Sequence, residues 1–136
     1  MKYYLAKSEP SVYSIDDLER DRKTVWDGVT NPQAVKAIRA MKAGDRVFLY
    51  HSGDVRAVVG IAHVVSDARD DAGNSKSAVV DLAYGERLDP PTSLADVRQS
   101  GLFDDWALVR QSRLSTMEAP AEFVAWMRAR YPTANL

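Results

Sequence analysis

DRVFLYHSGDVRAVVGIAHVV, residues 45–65, is the stretch that decides the fold. From Asp45 its residues alternate with a period of two and both faces are largely apolar, which is typical of a strand in the middle of a sheet. Ser52-Gly53-Asp54 is a turn sequence, and a second apolar run continues from it to Val65. We therefore predict an antiparallel hairpin at the centre of the domain. Gly60, inside the second run, indicates a β-bulge or a close backbone approach.

The residues before this hairpin predict one strand and two helices. The strand is rich in aromatic and aliphatic residues. Ser14 followed by Asp17 matches a capping box at the start of the first helix. Asn31-Pro32 is a strong start for the second helix, because Asn caps free amides and Pro loses nothing at the first helical position. The predicted bounds are residues 2–7 for the strand, about 15–20 for the first helix and 32–44 for the second, whose inward stripe is Val35, Ile38 and Met41.

The residues after the hairpin predict shorter elements. We expect a polar loop over residues 67–77, strands over 78–84 and 109–116, a helical turn over 93–98 and a terminal amphipathic helix over 120–130. No repeat or linker divides the chain. The pattern predicts one α+β domain over residues 1–136, a partly closed β-barrel of antiparallel strands with helices at one side and at both ends.

The composition excludes several classes of protein. The chain has 136 residues, 46% of them hydrophobic and 27% charged, with no apolar run long enough to cross a membrane and no leader sequence at the start, so we expect a cytoplasmic protein. There is no cysteine and there are two histidines, so we expect neither a metal nor another cofactor. The net charge of −1 predicts only weak long-range attraction to a nucleic acid.

Three separated segments carry the residues of a binding site. They are Lys7-Ser8-Glu9-Pro10, residues 26–34 with the sequence WDGVTNPQA, and Tyr50-His51-Ser52. Each lies where a predicted element begins or ends, and each combines polar groups with an aromatic or apolar neighbour. Such loops, held by a rigid scaffold, are where ligand pockets form.

With Gly44-Asp45, Gly60-Ile61 and Arg113-Leu114-Ser115, these segments resemble the EVE family, whose fold is PUA-like. The resemblance extends over essentially the whole chain and depends on the order and spacing of the motifs. A fainter resemblance extends to YTH domains, which read methylated adenine in RNA. The resemblance implies a noncatalytic module that reads a modified base: a modified cytosine in DNA, or a modified base in RNA.

A base that leaves its stack needs an aromatic face, an apolar wall for an added methyl group and polar groups at its edge. Trp26 is the candidate stacking face, and the alternative for it is a place in the core. Asp27 is suited to accept a hydrogen bond from an exocyclic amine, or else it caps the turn at Gly28. Asn31 and Gln33, at a helix start, are candidates for a phosphate or a base edge, with helix capping as the alternative for Asn31.

The resemblance adds candidates from other segments. Lys7 would contact a phosphate and Ser8 a base edge, unless they are simply an exposed lysine and a loop serine. Tyr50 or Ser52 would line the pocket while His51 is bonded in the core, or the reverse. The closing motif adds Arg113 and Ser115. Arg113 would contact a phosphate or support Asp27, and the alternative for it is a structural ion pair. A second aromatic would come from Tyr84 or Trp106.

A basic row on the second helix has two interpretations. Lys36 and Arg39 either form a solvated face or contact phosphates. The chain departs from the usual family pattern at Thr30, Pro32 and Val35-Lys36-Ala37, where charge near the ligand is lost.

Two further functions compete with base reading. The same pocket is suited to a small heterocycle, a free nucleoside or a peptide, without a polymer. A serine enzyme using Ser8 or Ser52 with His51 and Asp27 is the third hypothesis. We set catalysis aside because the chain has no G-x-S-x-G nucleophile motif.

Overall fold

The computed structural model describes all residues, 1–136, as a seven-stranded mixed sheet flanked by five helices. The elements in chain order are β1 (Tyr3–Ser8), α1 (Ile15–Asp21), β2 (Lys23–Trp26), α2 (Pro32–Arg39), β3 (Arg46–His51), β4 (Ala57–Val64), β5 (Arg69–Asp71), β6 (Asn74–Ser93), α3 (Leu94–Ser100), α4 (Ala107–Arg110), β7 (Thr116–Glu118) and α5 (Ala121–Arg130). None of the helices is long and apolar enough to cross a membrane.

The predicted central hairpin is confirmed. β3 and β4 pair antiparallel, and the register shifts between Leu49 and Tyr50, opposite Gly60 and Val58. A Cβ atom at Gly60 would lie 2.6 Å from Ile15 Cδ1 and 2.9 Å from the carbonyl oxygen of Glu86. The glycine therefore marks both a bulge and a close approach, as the sequence indicated.

The α+β class is confirmed, with two corrections to the predicted arrangement of strands. The sheet order is β2-β6-β4-β3-β1-β7, with β5 paired to β6, and the sheet does not close. Its strands are not all antiparallel, because β1 pairs parallel to β3. The connection between these two strands contains α1, β2 and α2, which is long enough for the crossover that a parallel pair requires.

The core lies on both faces of the sheet, so the helices are not confined to one side and the ends. One cluster includes Phe48 with Phe123 of α5. The other includes Val47 with Leu18 of α1 and Ile38 of α2. Successive residues of β3 alternate between the two clusters, as side chains of a strand do. This alternation explains why the strand is apolar throughout.

The capping box of Ser14 and Asp17 and the cap of Asn31 are confirmed. The second helix is shorter than predicted, because it ends at Arg39 rather than Gly44. The terminal helix, Ala121–Arg130, matches its prediction.

Two predictions about strands are wrong. The segment 109–116 is not a strand: α4 occupies Ala107–Arg110, and only Thr116–Glu118 pairs with β1. The sequence also gave no sign of β2, which is four residues long and pairs with β6. β6 itself runs from Asn74 to Ser93, well beyond the predicted 78–84, because it pairs in turn with β5, β2 and β4. Pairing with distant strands, rather than local pattern, sets these bounds.

Candidate functional site

A cavity of about 440 Å³ lies where β1 and β2 end. Its volume is within the range of small-molecule and cofactor sites, roughly 300–1,000 Å³. Three segments far apart in sequence form its wall, and each of them includes residues of a motif singled out above. The lining residues are Lys7, Ser8, Glu9, Val12, Tyr13, Thr24, Val25, Trp26, Asp27, Gly28, Val29, Thr30, Asn31 and Ser115.

Trp26 belongs both to the core and to the wall of this cavity. It is 8% exposed and packs in the cluster that includes Leu18 and Ile38. The ring of Tyr13 meets the indole at 82° with 6.3 Å between the ring centres. The two interpretations of Trp26 are therefore not exclusive, because a mostly buried ring still borders an open cavity.

Tyr13 is the aromatic neighbour that sequence reasoning missed. It directly precedes Ser14, whose capping box sets where α1 begins, and this position was the available signal. The two aromatics that the sequence offered instead are engaged elsewhere. Trp106 Nε1 donates to the carbonyl oxygen of Glu118 at 2.9 Å, and the Tyr84 ring lies under Arg22 at 5.4 Å.

The loop from Trp26 to α2 carries polar groups that the protein leaves free. Asp27 is exposed, and its carboxylate makes no hydrogen bond or ion pair with another residue. Asn31 Oδ1 accepts from the backbone N–H groups of Gln33 at 2.9 Å and Ala34 at 3.2 Å. The NH2 group of the Asn31 side chain donates to no other residue. Gln33 is exposed and does not line the cavity.

The end of β1 brings Lys7 and Ser8 to the cavity. Ser8 Oγ donates to the carbonyl oxygen of Tyr13 at 2.6 Å, which ties β1 to the start of α1. Lys7 Nζ donates to the carbonyl oxygen of Ser112 at 3.1 Å and lies 5.4 Å from the centre of the Tyr50 ring. Burial lowers the pKa of Lys7. The ammonium is therefore a partly desolvated charge, whose pull on an anion is stronger than that of a surface lysine.

The motif Tyr50-His51-Ser52 is divided between the core and a second cavity. His51 Nε2 accepts from the backbone N–H of Ile15 at 3.1 Å, and burial lowers the pKa of this histidine. Tyr50 and Ser52 line a cavity of about 340 Å³ that shares Lys7 with the first.

The remaining candidates are distributed unevenly around the site. Ser115 lines the Trp26 cavity, and its carbonyl oxygen accepts from the backbone N–H of Lys7 at 2.7 Å. Arg113 is exposed, lines neither cavity and pairs with no carboxylate. Arg39 is paired with Asp70 and donates to the carbonyl oxygen of Ser77 at 3.2 Å, whereas Lys36 is exposed and unpaired.

A larger surface cavity, about 640 Å³, lies elsewhere and contains none of the predicted site residues. Four of its nine lining residues, Asp104, Asp105, Glu118 and Glu122, are acidic, which does not suit a polyanion. No group of three or more His, Cys, Asp or Glu side chains is arranged to hold a metal ion.

An open mixed sheet between helices, with a cavity at the ends of two strands that is lined by two aromatic rings and by polar side chains, defines a small α+β domain with a candidate binding site. The family model for the EVE domain matches residues 2–130, and the chain belongs to this family.

Relatives and solved structures agree with this assignment. Mouse thymocyte nuclear protein 1 is 40% identical over 109 residues, which are 71% of this chain and 48% of that protein. The chain spans about half, or less, of the length of the mammalian relatives it matches.

Two crystal structures show the same fold. That of an Agrobacterium tumefaciens protein superimposes with a TM-score of 0.91 and 33% identity, covering 100% of this chain and 97% of that one. That of human thymocyte nuclear protein 1 in complex with DNA containing 5-methylcytosine has a TM-score of 0.85 and 24% identity, covering 99% and 100%.

Proposed function

We propose that this chain is a noncatalytic module that binds DNA by holding a modified cytosine, 5-methylcytosine first of all, in the Trp26 cavity. The observation that carries this proposal is the cavity itself, where an indole borders the opening and the unpaired Asp27 carboxylate stands beside it. The human structure with 5-methylcytosine DNA adds support through its shared fold.

The lining has the three kinds of group that a flipped base requires. Trp26 and Tyr13 supply aromatic surface, and base–aromatic stacking is worth roughly 1–3 kcal/mol per base. Val12, Val25 and Val29 supply apolar surface for the added methyl group. Asp27 is a free acceptor for the exocyclic amine of cytosine, and the Asn31 amide is a free donor.

The hydrogen bonds of the candidate catalytic residues support a noncatalytic role. A serine nucleophile needs a histidine that takes its proton. Ser8 Oγ donates to the carbonyl oxygen of Tyr13, and His51 Nε2 is occupied by the N–H of Ile15. Neither residue is arranged as half of a Ser–His pair.

The charge of the chain limits how much electrostatic attraction to the phosphates contributes to binding, apart from the contacts with the modified base. The net charge is −1, and Arg39 is paired with Asp70. Among the candidate site residues named from the sequence, Lys7, Lys36 and Arg113 are the cations that we assign to phosphates. With about three phosphate contacts, affinity would fall with salt much less steeply than for a strongly basic DNA-binding protein.

Binding to labelled oligonucleotides tests the proposal. Fluorescence anisotropy is preferable to intrinsic fluorescence, because three tryptophans would contribute to the latter. We expect a strand with one central 5-methylcytosine to bind about tenfold more tightly than the same strand with cytosine, since a methyl group in an apolar pocket is worth roughly 1–3 kcal/mol. A matching RNA strand distinguishes the two polymers.

Two results would contradict the proposal. Equal affinity for cytosine and 5-methylcytosine strands would exclude methyl reading. Equal affinity for free 5-methylcytidine and for the methylated strand, both insensitive to salt, would favour a nucleoside-binding module without a polymer.

A further inference from the structure

The second cavity, of about 340 Å³, has a lining with an unusual charge. It shares Lys7 with the Trp26 cavity, and two further cations, Arg56 and Arg98, border it. No carboxylate does. Glu9 and Asp54 lie near the turn at Gly53, outside the lining. The lining residues are Lys7, Tyr50, Ser52, Gly53, Arg56, Leu94, Arg98, Leu108 and Ser112.

The guanidinium groups of this cavity keep most of their donors. Arg56 Nε donates to the carbonyl oxygen of Gly53 at 3.2 Å, and its other two nitrogens have no partner. Arg98 makes no side-chain hydrogen bond and no ion pair. Elsewhere on the molecule, eight ion pairs hold arginines such as Arg87 and Arg110 against carboxylates. Arg56 and Arg98 thus border one concave surface with guanidinium groups that no carboxylate holds.

Tyr50 adds a buried polar group that points to a ligand. The residue is 3% exposed, yet its hydroxyl has no hydrogen-bond partner in the protein. The Tyr4 hydroxyl is the one side-chain polar atom that is both inaccessible to solvent and without a hydrogen-bond partner. The Tyr50 hydroxyl, which also has no partner, is therefore still accessible to solvent. Burial raises the pKa of Tyr50, and the positive charges of Arg56 and Arg98, which line the same cavity, oppose the rise. A protonated phenol in this position is a hydrogen-bond donor for an anion.

We propose that this second cavity binds a phosphate group through Arg56, Arg98 and Lys7, with the hydroxyls of Tyr50 and Ser52 as further donors. Guanidinium groups match the oxygens of a phosphate in a bidentate geometry, and hydroxyls complete such sites. The source of the phosphate, in our inference, is the strand whose modified base occupies the Trp26 cavity, because Lys7 borders both. This choice of source rests on the proposed function, whereas the phosphate site does not.

Inorganic phosphate tests the site by itself. In NMR titrations at constant ionic strength, we expect phosphate, but not chloride, to shift the side-chain Nε–Hε signals of Arg56 and Arg98. The variant R98Q should weaken this binding by about tenfold or more, equivalent to about 1.4 kcal/mol. The variant K2Q, which removes one charge at the opposite end of β1, should leave it unchanged. No saturable shift in the wild-type protein, or equal loss in both variants, would overturn the site.

A nucleoside and its monophosphate then identify the source. We expect 5-methylcytidine monophosphate to bind about tenfold more tightly than 5-methylcytidine, and R98Q to abolish the difference without changing nucleoside affinity. The methylated strand should lose affinity in R98Q and not in K2Q. If R98Q loses affinity for the monophosphate but not for the methylated strand, the result would support the phosphate site and assign it to a free nucleotide instead of a strand. If cytosine and 5-methylcytosine strands bind equally, the proposed reading of a modified base is wrong. The NMR shifts that inorganic phosphate produces at Arg56 and Arg98 then still test the phosphate site by themselves.

Discussion

His51 Nε2 accepts a hydrogen bond from the backbone N–H of Ile15 at 3.1 Å, joining the end of β3 to the start of α1. Tyr13, in the wall of the Trp26 cavity, lies two residues before Ile15. The histidine of the Tyr50-His51-Ser52 motif therefore helps to position the segment that carries Tyr13 in the cavity wall. It does this only while its ring is neutral, because a protonated imidazole has no acceptor.

Acid should weaken the fold through His51. Burial lowers its pKa from the ordinary value of about 6.5, so the unfolded chain binds the proton more readily. The free energy of unfolding is then highest above about pH 7 and falls as the pH drops below about 6.5. Urea unfolding between pH 7.5 and about 5.5 measures this dependence. In H51Q it should be weaker, with the remainder due to His63, whose pKa burial also lowers. An unchanged slope in H51Q would assign the effect to other groups.

Replacing the Asp27 carboxylate should impair recognition without affecting stability. The side chain is exposed and unpaired, so D27N should leave the melting temperature unchanged. A hydrogen bond from a base amine to a charged acceptor contributes about 1.5–3 kcal/mol, which predicts a loss of roughly tenfold or more for the methylated strand. D105N is the matched control, since Asp105 is 97% exposed and does not line the cavity. Equal binding by both variants would remove Asp27 from the site.

Two substitutions separate the structural and binding roles of Asn31. N31A removes the side-chain oxygen that caps α2 and should lower the free energy of unfolding by about 1 kcal/mol. N31D keeps a capping oxygen, so its stability should match the wild type. It replaces the amide donor with a negative charge, however, and should weaken binding to the methylated strand. Full affinity in N31D would show that Asn31 acts as a cap alone.

Gly60 is required by packing. In G60A the new methyl group would lie 2.9 Å from the carbonyl oxygen of Glu86, which is backbone and cannot yield easily, and 2.6 Å from Ile15 Cδ1. We expect a loss of about 1–3 kcal/mol in the free energy of unfolding, as for other overpacked sites. G73A is the control, because its Cβ would make only an ordinary contact at 3.6 Å with Asp71 Oδ1. A wild-type stability for G60A would mean that β4 and β6 separate readily at this point.

Elements whose determining residues lie close together in the sequence were predictable, whereas elements that depend on distant parts of the chain were not. The caps at Ser14 and Asn31 satisfy backbone N–H groups two or three residues away, so their signal lies within one turn of helix. β2 has no such signal: Val25 is exposed, Lys23 is charged, and the strand exists because β6 runs alongside it. The segment 109–116 shows the reverse error, where apolar residues reached the core without pairing as a strand.

The sequence alone determined the central hairpin, the helix starts and the residue types available for a site, because alternation, turn chemistry and capping act between near neighbours. Only the tertiary structure decided where those side chains went. It placed Trp26 partly in the core, set Tyr13 beside it, turned His51 inward and separated Tyr50 and Ser52 into a second cavity. The physical reason is that a cavity forms where strand ends distant in sequence come together, and the pairing of β1 with β3 and of β2 with β6 is decided by long-range contacts.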